Sequence, residues 1–234
     1  MGNRKARAIS ERERRRIWRT LDAHAEQGDF GAIRMRAIAT LVIFTTLRLS
    51  EVLALRLEQL VEDVDRDDPR IVASFWLARA QAKGRPTKTK KGRGRKTKPV
   101  VQRGYTSERT VTIPRRARDA LRTYLRELRR RGWGGWQGSP WITIKGRGEV
   151  QHDTVSKRAV QHAWAMWQRR SGVSEPYRFH DLRHTAITKI SNATDNVFEV
   201  ALIAGHNNVR TTQRYVHASP ERLSAIAERA AAEL

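Results

Sequence analysis

Ala37-Ile38-Ala39-Thr40-Leu41-Val42-Ile43-Phe44-Thr45-Thr46-Leu47 is the longest apolar run of the chain, and it lies in a stretch, 31–46, that is apolar almost all round a helical wheel. A surface helix keeps one polar face, so this stretch reads as a buried core helix on which others pack. Spanning a bilayer takes about 20 apolar residues, which excludes a membrane helix here.

Amphipathic helices are expected around it. Ser10 caps a helix that carries Glu11 and Glu13 in its first turn, shows Ile17, Leu21 and Ala25 on one face, and ends near Gly28. A short helix starts near Ser50 with Glu51 in its first turn, and the turn before it carries Arg48. Further helices are predicted over 115–130, 154–170, 180–192 and 197–204. A last one, 220–234, has Ser219 as cap, Pro220 at its first position and an apolar stripe of Leu223, Ile226, Ala230 and Leu234. Two segments alternate or carry β-branched and aromatic residues, 70–80 and 109–113, and are expected to pair as a hairpin. The fold class is therefore mainly α with a small antiparallel β-sheet. Five tryptophans, Trp133, Trp136, Trp141, Trp164 and Trp167, read as core and not as a base-stacking platform.

Charge narrows the function. The 234 residues hold 47 Lys and Arg against 24 Asp and Glu, a net +23, so a compact chain repels itself unless an anion is bound. Nucleic acid is the partner this implies, because no apolar span or greasy basic helix suits a membrane. Between the two strands, 82–104 holds ten Lys or Arg, four glycines, two prolines and no acid, and reads as a flexible basic loop that contacts phosphates through Lys90, Lys91, Arg93, Arg95 and Lys96. The basic start, Met1 to Ala8, lacks the apolar core of a signal peptide, and the chain has no cysteine for disulfides or thiolate metal sites. A cytoplasmic, nucleoid-associated protein is expected.

Four segments carry the chemistry: Thr46-Leu47-Arg48-Leu49-Ser50-Glu51, His180-Asp181-Leu182-Arg183-His184-Thr185, Ala204-Gly205-His206-Asn207 and Thr211-Thr212-Gln213-Arg214-Tyr215. Their order and spacing closely resemble the tyrosine recombinase, or phage integrase, family. That family shows arginine with glutamate three residues on, then His-x-x-Arg, then Gly-His, then a tyrosine nine residues after that histidine. Here these are Arg48 and Glu51, His180 and Arg183, His206, and Tyr215. The resemblance covers nearly the whole chain from about Ser10 and implies that family's catalytic-domain fold. The chain departs from the pattern at Thr46, where glycine is usual, and at Ala204, where leucine is frequent.

The resemblance implies metal-free, cofactor-free cleavage of duplex DNA by Tyr215, leaving a 3′-phosphotyrosyl link and a free 5′-hydroxyl, so that rejoining needs no ATP. Opening a phosphodiester needs a nucleophile, charge neutralisation and a proton for the departing oxygen. Arg48 and Arg183 are suited to fork onto the non-bridging phosphate oxygens, because guanidinium is planar and permanently charged. His206 donates to the same oxygens, and His180 accepts or orients the tyrosine proton. Glu51 holds the arginines from behind. The family's leaving-group lysine falls in the basic loop, where Lys88, followed by Thr89, fits best and Lys83, Lys90, Lys96 and Lys98 remain alternatives. His180 and His184 stand at zinc-ligand spacing, but Arg183 beside them and the lack of a nearby acid argue against a metal.

The resemblance further implies a homo-tetramer on paired sites that exchanges the 220–234 helix between protomers. A type IB topoisomerase-like nicking-closing enzyme, or a non-catalytic DNA-binding regulator with this fold, are the competing readings. Arg48 comes too early for a preceding DNA-clamping domain, so 1–234 reads as one catalytic domain, from a shortened chain or a compact family member.

Overall fold

The computed structural model describes residues 6–62, 68–78, 108–133, 138–145, 149–194, 196–206 and 212. Among these lie seven α-helices and two small antiparallel sheets. The basic loop 82–104, the helix expected over 220–234, Tyr215 and Trp136 fall outside the described residues.

The first helix, α1 (Glu11–Glu26), starts where the Ser10 hydroxyl accepts the Glu13 amide, and it buries Ile17 and Leu21. The apolar α2 (Phe30–Thr45) is the central helix. Asp29 caps it through the Ala32 amide at 3.1 Å, and α1 packs along it. The short α3 (Leu49–Leu53) follows after a three-residue break. Strand β1 (Ser74–Leu77) pairs antiparallel with β2 (Arg109–Thr112), Phe75 opposite Val111 and Trp76 opposite Thr110. The expected hairpin is thus formed, but β1 is shorter than 70–80, since Ile71 makes only an isolated bridge to Val61.

Helix α4 (Arg115–Arg130) begins directly after Pro114, whose missing N–H is no loss at a helix start. It packs on α2 with Leu121, Tyr124, Leu125 and Leu128 buried. A second hairpin follows, β3 (Ile142–Lys145) with β4 (Glu149–Thr154), where the sequence suggests no strand. Because β4 occupies Thr154, α5 (Lys157–Arg170) starts later than expected, capped by Ser156 on the Ala159 amide at 3.1 Å. Helices α6 (Phe179–Ala193) and α7 (Val197–Ala204) complete the described architecture.

Trp133, Trp141, Trp164 and Trp167 are all buried, as core residues. Trp141 stacks on Tyr124 at 5.3 Å and donates its indole N–H to the Val52 carbonyl at 2.6 Å, which fixes the end of α3 against the core. Among the described residues no helix is long and apolar enough to cross a membrane.

Candidate active site

Arg48 stands immediately before α3 in extended backbone, and the chain positions it through one carboxylate. Glu51 Oε2 accepts the Arg48 backbone amide at 2.8 Å, while Oε1 accepts Arg48 Nη1 at 3.0 Å. Glu51 is 1% exposed and Arg48 31%, so a buried anion holds a cation at the surface. A third bond, from Arg109 Nη2 on β2 at 3.3 Å, ties the hairpin to the same carboxylate. Glu51 thus acts on the backbone and side chain of Arg48 together, and its second arginine is Arg109, while Arg183 donates to backbone carbonyls.

Arg183, on α6, is 2% exposed. Its Nη1 donates to the Thr46 carbonyl and its Nη2 to the Ala204 carbonyl, the latter at 2.6 Å. Those acceptors close α2 and α7, whose last carbonyls have no partner inside their own helices. Thr46 itself takes the left-handed conformation, φ 56°, as the cap of α2, and its hydroxyl donates to the Ile203 carbonyl at 2.9 Å. The departure from glycine at this position therefore has a physical account. Threonine accepts a backbone cost of order 1–2 kcal/mol there and gains a bond that glycine lacks.

Arg48, Arg183 and His180 line one cleft of about 210 Å³, together with Ser50, Lys157 and Arg178. Desolvation in that cleft, and then the positive charge of Arg183, push the His180 imidazole below its ordinary range, although the residue is exposed. We expect its NMR titration midpoint below about 6.5. The sign for stability follows: the unfolded chain takes the proton first, so stability falls as pH drops through the ordinary imidazole range and levels off below the folded value. His180→Gln should remove that part of the acid loss. A midpoint at or above the ordinary value would contradict this environment.

His206 follows Gly205, the left-handed cap of α7 (φ 62°). Its Nδ1 shares a 2.8 Å hydrogen bond with the hydroxyl of Thr212, a fully buried residue three positions before Tyr215. When Nδ1 accepts in this pair, Nε2 carries the proton and is a donor. Gly205 is demanded twice over. A side chain there would adopt a strained φ, and its Cβ would lie 2.7 Å from Arg109 Cζ. Gly205→Ala is therefore expected to lower unfolding stability by about 2–4 kcal/mol, the sum of backbone strain and overpacking. Gly28→Ala, at φ 78° with open space around it, should show only the backbone part, about 1–2 kcal/mol. Equal urea midpoints for the two variants would exclude the Arg109 clash as a cause.

The described cleft thus gathers Arg48, Arg183 and His180, while Glu51 lies behind Arg48 and Arg183 bonds the turn two residues before His206. Lys88, Lys90, Lys91, Arg93, Arg95 and Lys96 lie outside the described residues. Sequence reasoning gives no role to Arg109, Arg178, Lys157 or Thr212. Arg109 is findable, because in an alternating strand it shares a face with Val111 and Ile113, both buried. Among the described residues no three His, Asp or Glu side chains are grouped to hold a metal.

The chain belongs to the phage integrase family, whose profile matches residues 7–222. The tyrosine recombinase XerC of Mycobacterium bovis (strain BCG / Pasteur 1173P2) is 28% identical over 209 residues, 89% of this chain and 58% of that relative. The chain spans a little over half the length of that relative. In fold it is similar to the Tn1549 transposon integrase solved with transposon right-end DNA, with TM-score 0.61, 17% identity, and 98% of this chain and 67% of the other covered. It is also similar to the catalytic domain of bacteriophage HP1 integrase, with TM-score 0.50, 18% identity, and 96% and 95% covered. These likenesses make the fold a tyrosine recombinase catalytic-domain fold.

Proposed function

We propose that this chain is the catalytic domain of a site-specific recombinase or integrase that cuts and rejoins duplex DNA through Tyr215, without metal or ATP. The observation that supports it most is the meeting of Arg48, Arg183 and His180 in one cleft, in a member of the phage integrase family.

A backbone phosphate in the cleft meets Arg48, which Glu51 has already oriented, so little side-chain freedom is lost on binding. Arg183 is fixed by two carbonyls and supplies charge without reorganising. The Tyr215 oxygen attacks phosphorus, its proton passing to His180, whose depressed pKa keeps it neutral and ready to accept near neutral pH. The 5′-oxygen leaves and takes a proton from a lysine of the basic loop, Lys88 in our reading. The phosphodiester is replaced by a phosphotyrosyl ester, and the reverse attack by a 5′-hydroxyl restores DNA. We extend the proposal to a homo-tetramer on paired sites, with 220–234 passed between protomers, in a cytoplasmic, nucleoid-associated protein.

The test is covalent capture from a library of nicked duplexes of random sequence, in which the short fragment bearing the free 5′-hydroxyl diffuses away after cleavage. A protein–DNA adduct through Tyr215 that enriches one sequence is the expected result, followed by exchange between two copies of that sequence. No adduct, or one carried by a different residue, would defeat the proposal. Relaxation of a single supercoiled circle without exchange between paired sites would favour the nicking-closing alternative.

A further inference from the structure

The Arg48–Glu51 device occurs twice in this protein. Arg178 stands immediately before α6 in extended backbone, as Arg48 does before α3. Asp181, three residues on, accepts the Arg178 backbone amide at 2.7 Å through Oδ2. The same carboxylate accepts Arg178 Nη2 at 3.1 Å and Nε at 3.3 Å. Asp181 is 3% exposed and the Arg178 side chain 45%, again a buried anion presenting a cation at the surface. Burial alone would raise the Asp181 pKa, but the bonds from Arg178 outweigh it and keep the carboxylate ionised.

Both arginines open onto the same cleft, and Lys157, exposed in the first turn of α5, lines it too. Helix capping does not call for arginine before α6, since a small polar residue caps at least as well. Arginine in this place puts a pre-oriented fork beside His180. We propose that Arg178, with Lys157, forms a second phosphate subsite, which binds the backbone phosphate next to the one undergoing cleavage and so fixes the register of the strand. The ligand class is a phosphodiester anion of duplex DNA. The inference rests on the recombinase reading for the identity of the strand, but its test does not require cleavage.

The test is the salt dependence of binding to a short fluorescent duplex of arbitrary sequence. For each phosphate that the protein no longer neutralises, the slope of log affinity against log salt should become shallower by about 0.9. Lys157→Gln, at an exposed site, should flatten it by about 0.9, and adding Arg178→Gln by about as much again. Arg178→Gln also uncovers Asp181, so a decisive variant is Arg178→Gln with Asp181→Asn, which leaves net charge unchanged and keeps an acceptor for the residue-178 amide. If Arg178 holds a phosphate, this pair still flattens the slope by about 0.9. If Arg178 is only a counter-ion to Asp181, the pair returns to the wild-type slope and the proposal is overturned. Changes no larger than those of Arg15→Gln with Arg130→Gln, exposed cations on α1 and α4, would overturn it as well. Covalent capture can fail while these slopes fall, or succeed while they stand unchanged, so the two proposals are judged separately.

Discussion

Tyr215→Phe is expected to reduce the covalent protein–DNA adduct by at least about 1000-fold, because no other group replaces the attacking oxygen. Binding to the same duplex should stay within about twofold of wild type, since only a hydroxyl is removed and the groups that hold DNA act largely on phosphates. The two measurements belong together: a nicked duplex followed on denaturing gels, and its affinity at one stated salt concentration. The motivation is the nine-residue spacing from His206 in a member of the phage integrase family, together with Thr212, which shares a hydrogen bond with His206 three positions ahead of the tyrosine. A wild-type level of adduct from the phenylalanine variant would falsify the assignment of the nucleophile.

The parts of the fold that sequence reveals are those set by local chemistry. The bounds of α1 and α4 follow from Ser10 and from Pro114, and the apolar run of α2 states its burial outright. The parts it conceals depend on distant partners. The β3–β4 hairpin is formed from Ile142–Lys145 and Glu149–Thr154, where Lys145, Glu149, Gln151, His152 and Asp153 give no apolar alternation. Its pairing also shifts register after Ile142, which blurs any period of two. In place of a pattern, the hairpin has a neighbour: Arg34 on α2 donates to the Ile142 carbonyl at 2.8 Å.

The site divides in the same way. Residue types and spacings are enough to nominate Arg48, Glu51, His180, Arg183 and His206. Tertiary structure is needed to see that Glu51 serves two arginines, because Arg109 lies 58 residues away and its alternating strand shows that it is buried but not which group it meets. Buried arginine is costly without partners, and among the described residues Arg109 Nε and Nη1 have none. Its value must therefore come through Glu51 and through the space it fills beneath Gly205. Arg178 is concealed for another reason. Its Arg-x-x-Asp spacing matches the Arg-x-x-Glu of residues 48–51, but a repeat of two residues has no weight until both are seen to grip the same way.

Arg183→Met is expected to damage stability and cleavage together, in amounts that can be separated. Methionine fills much of the aliphatic volume but leaves the Thr46 and Ala204 carbonyls, at the closed ends of α2 and α7, without their donor. Each buried acceptor left unsatisfied costs about 1–3 kcal/mol, so a loss near 3 kcal/mol is expected from the pair. A domain of this size is commonly stable by about 5–15 kcal/mol, which tolerates such a loss at low temperature. Cleavage by the folded variant should nevertheless fall by about 1000-fold or more, because in the proposed reaction the fixed charge that Arg183 supplies to the phosphate is gone. Arg183→Lys distinguishes the two roles. One ammonium cannot span both carbonyls as the guanidinium fork does, so part of the stability is lost while the charge remains. The lysine variant should then cleave faster than the methionine variant while melting below wild type. If Arg183→Met, assayed below its melting transition, cleaved within about tenfold of wild type, roughly 1.4 kcal/mol of barrier, Arg183 would be a staple between helix ends and no part of the chemistry.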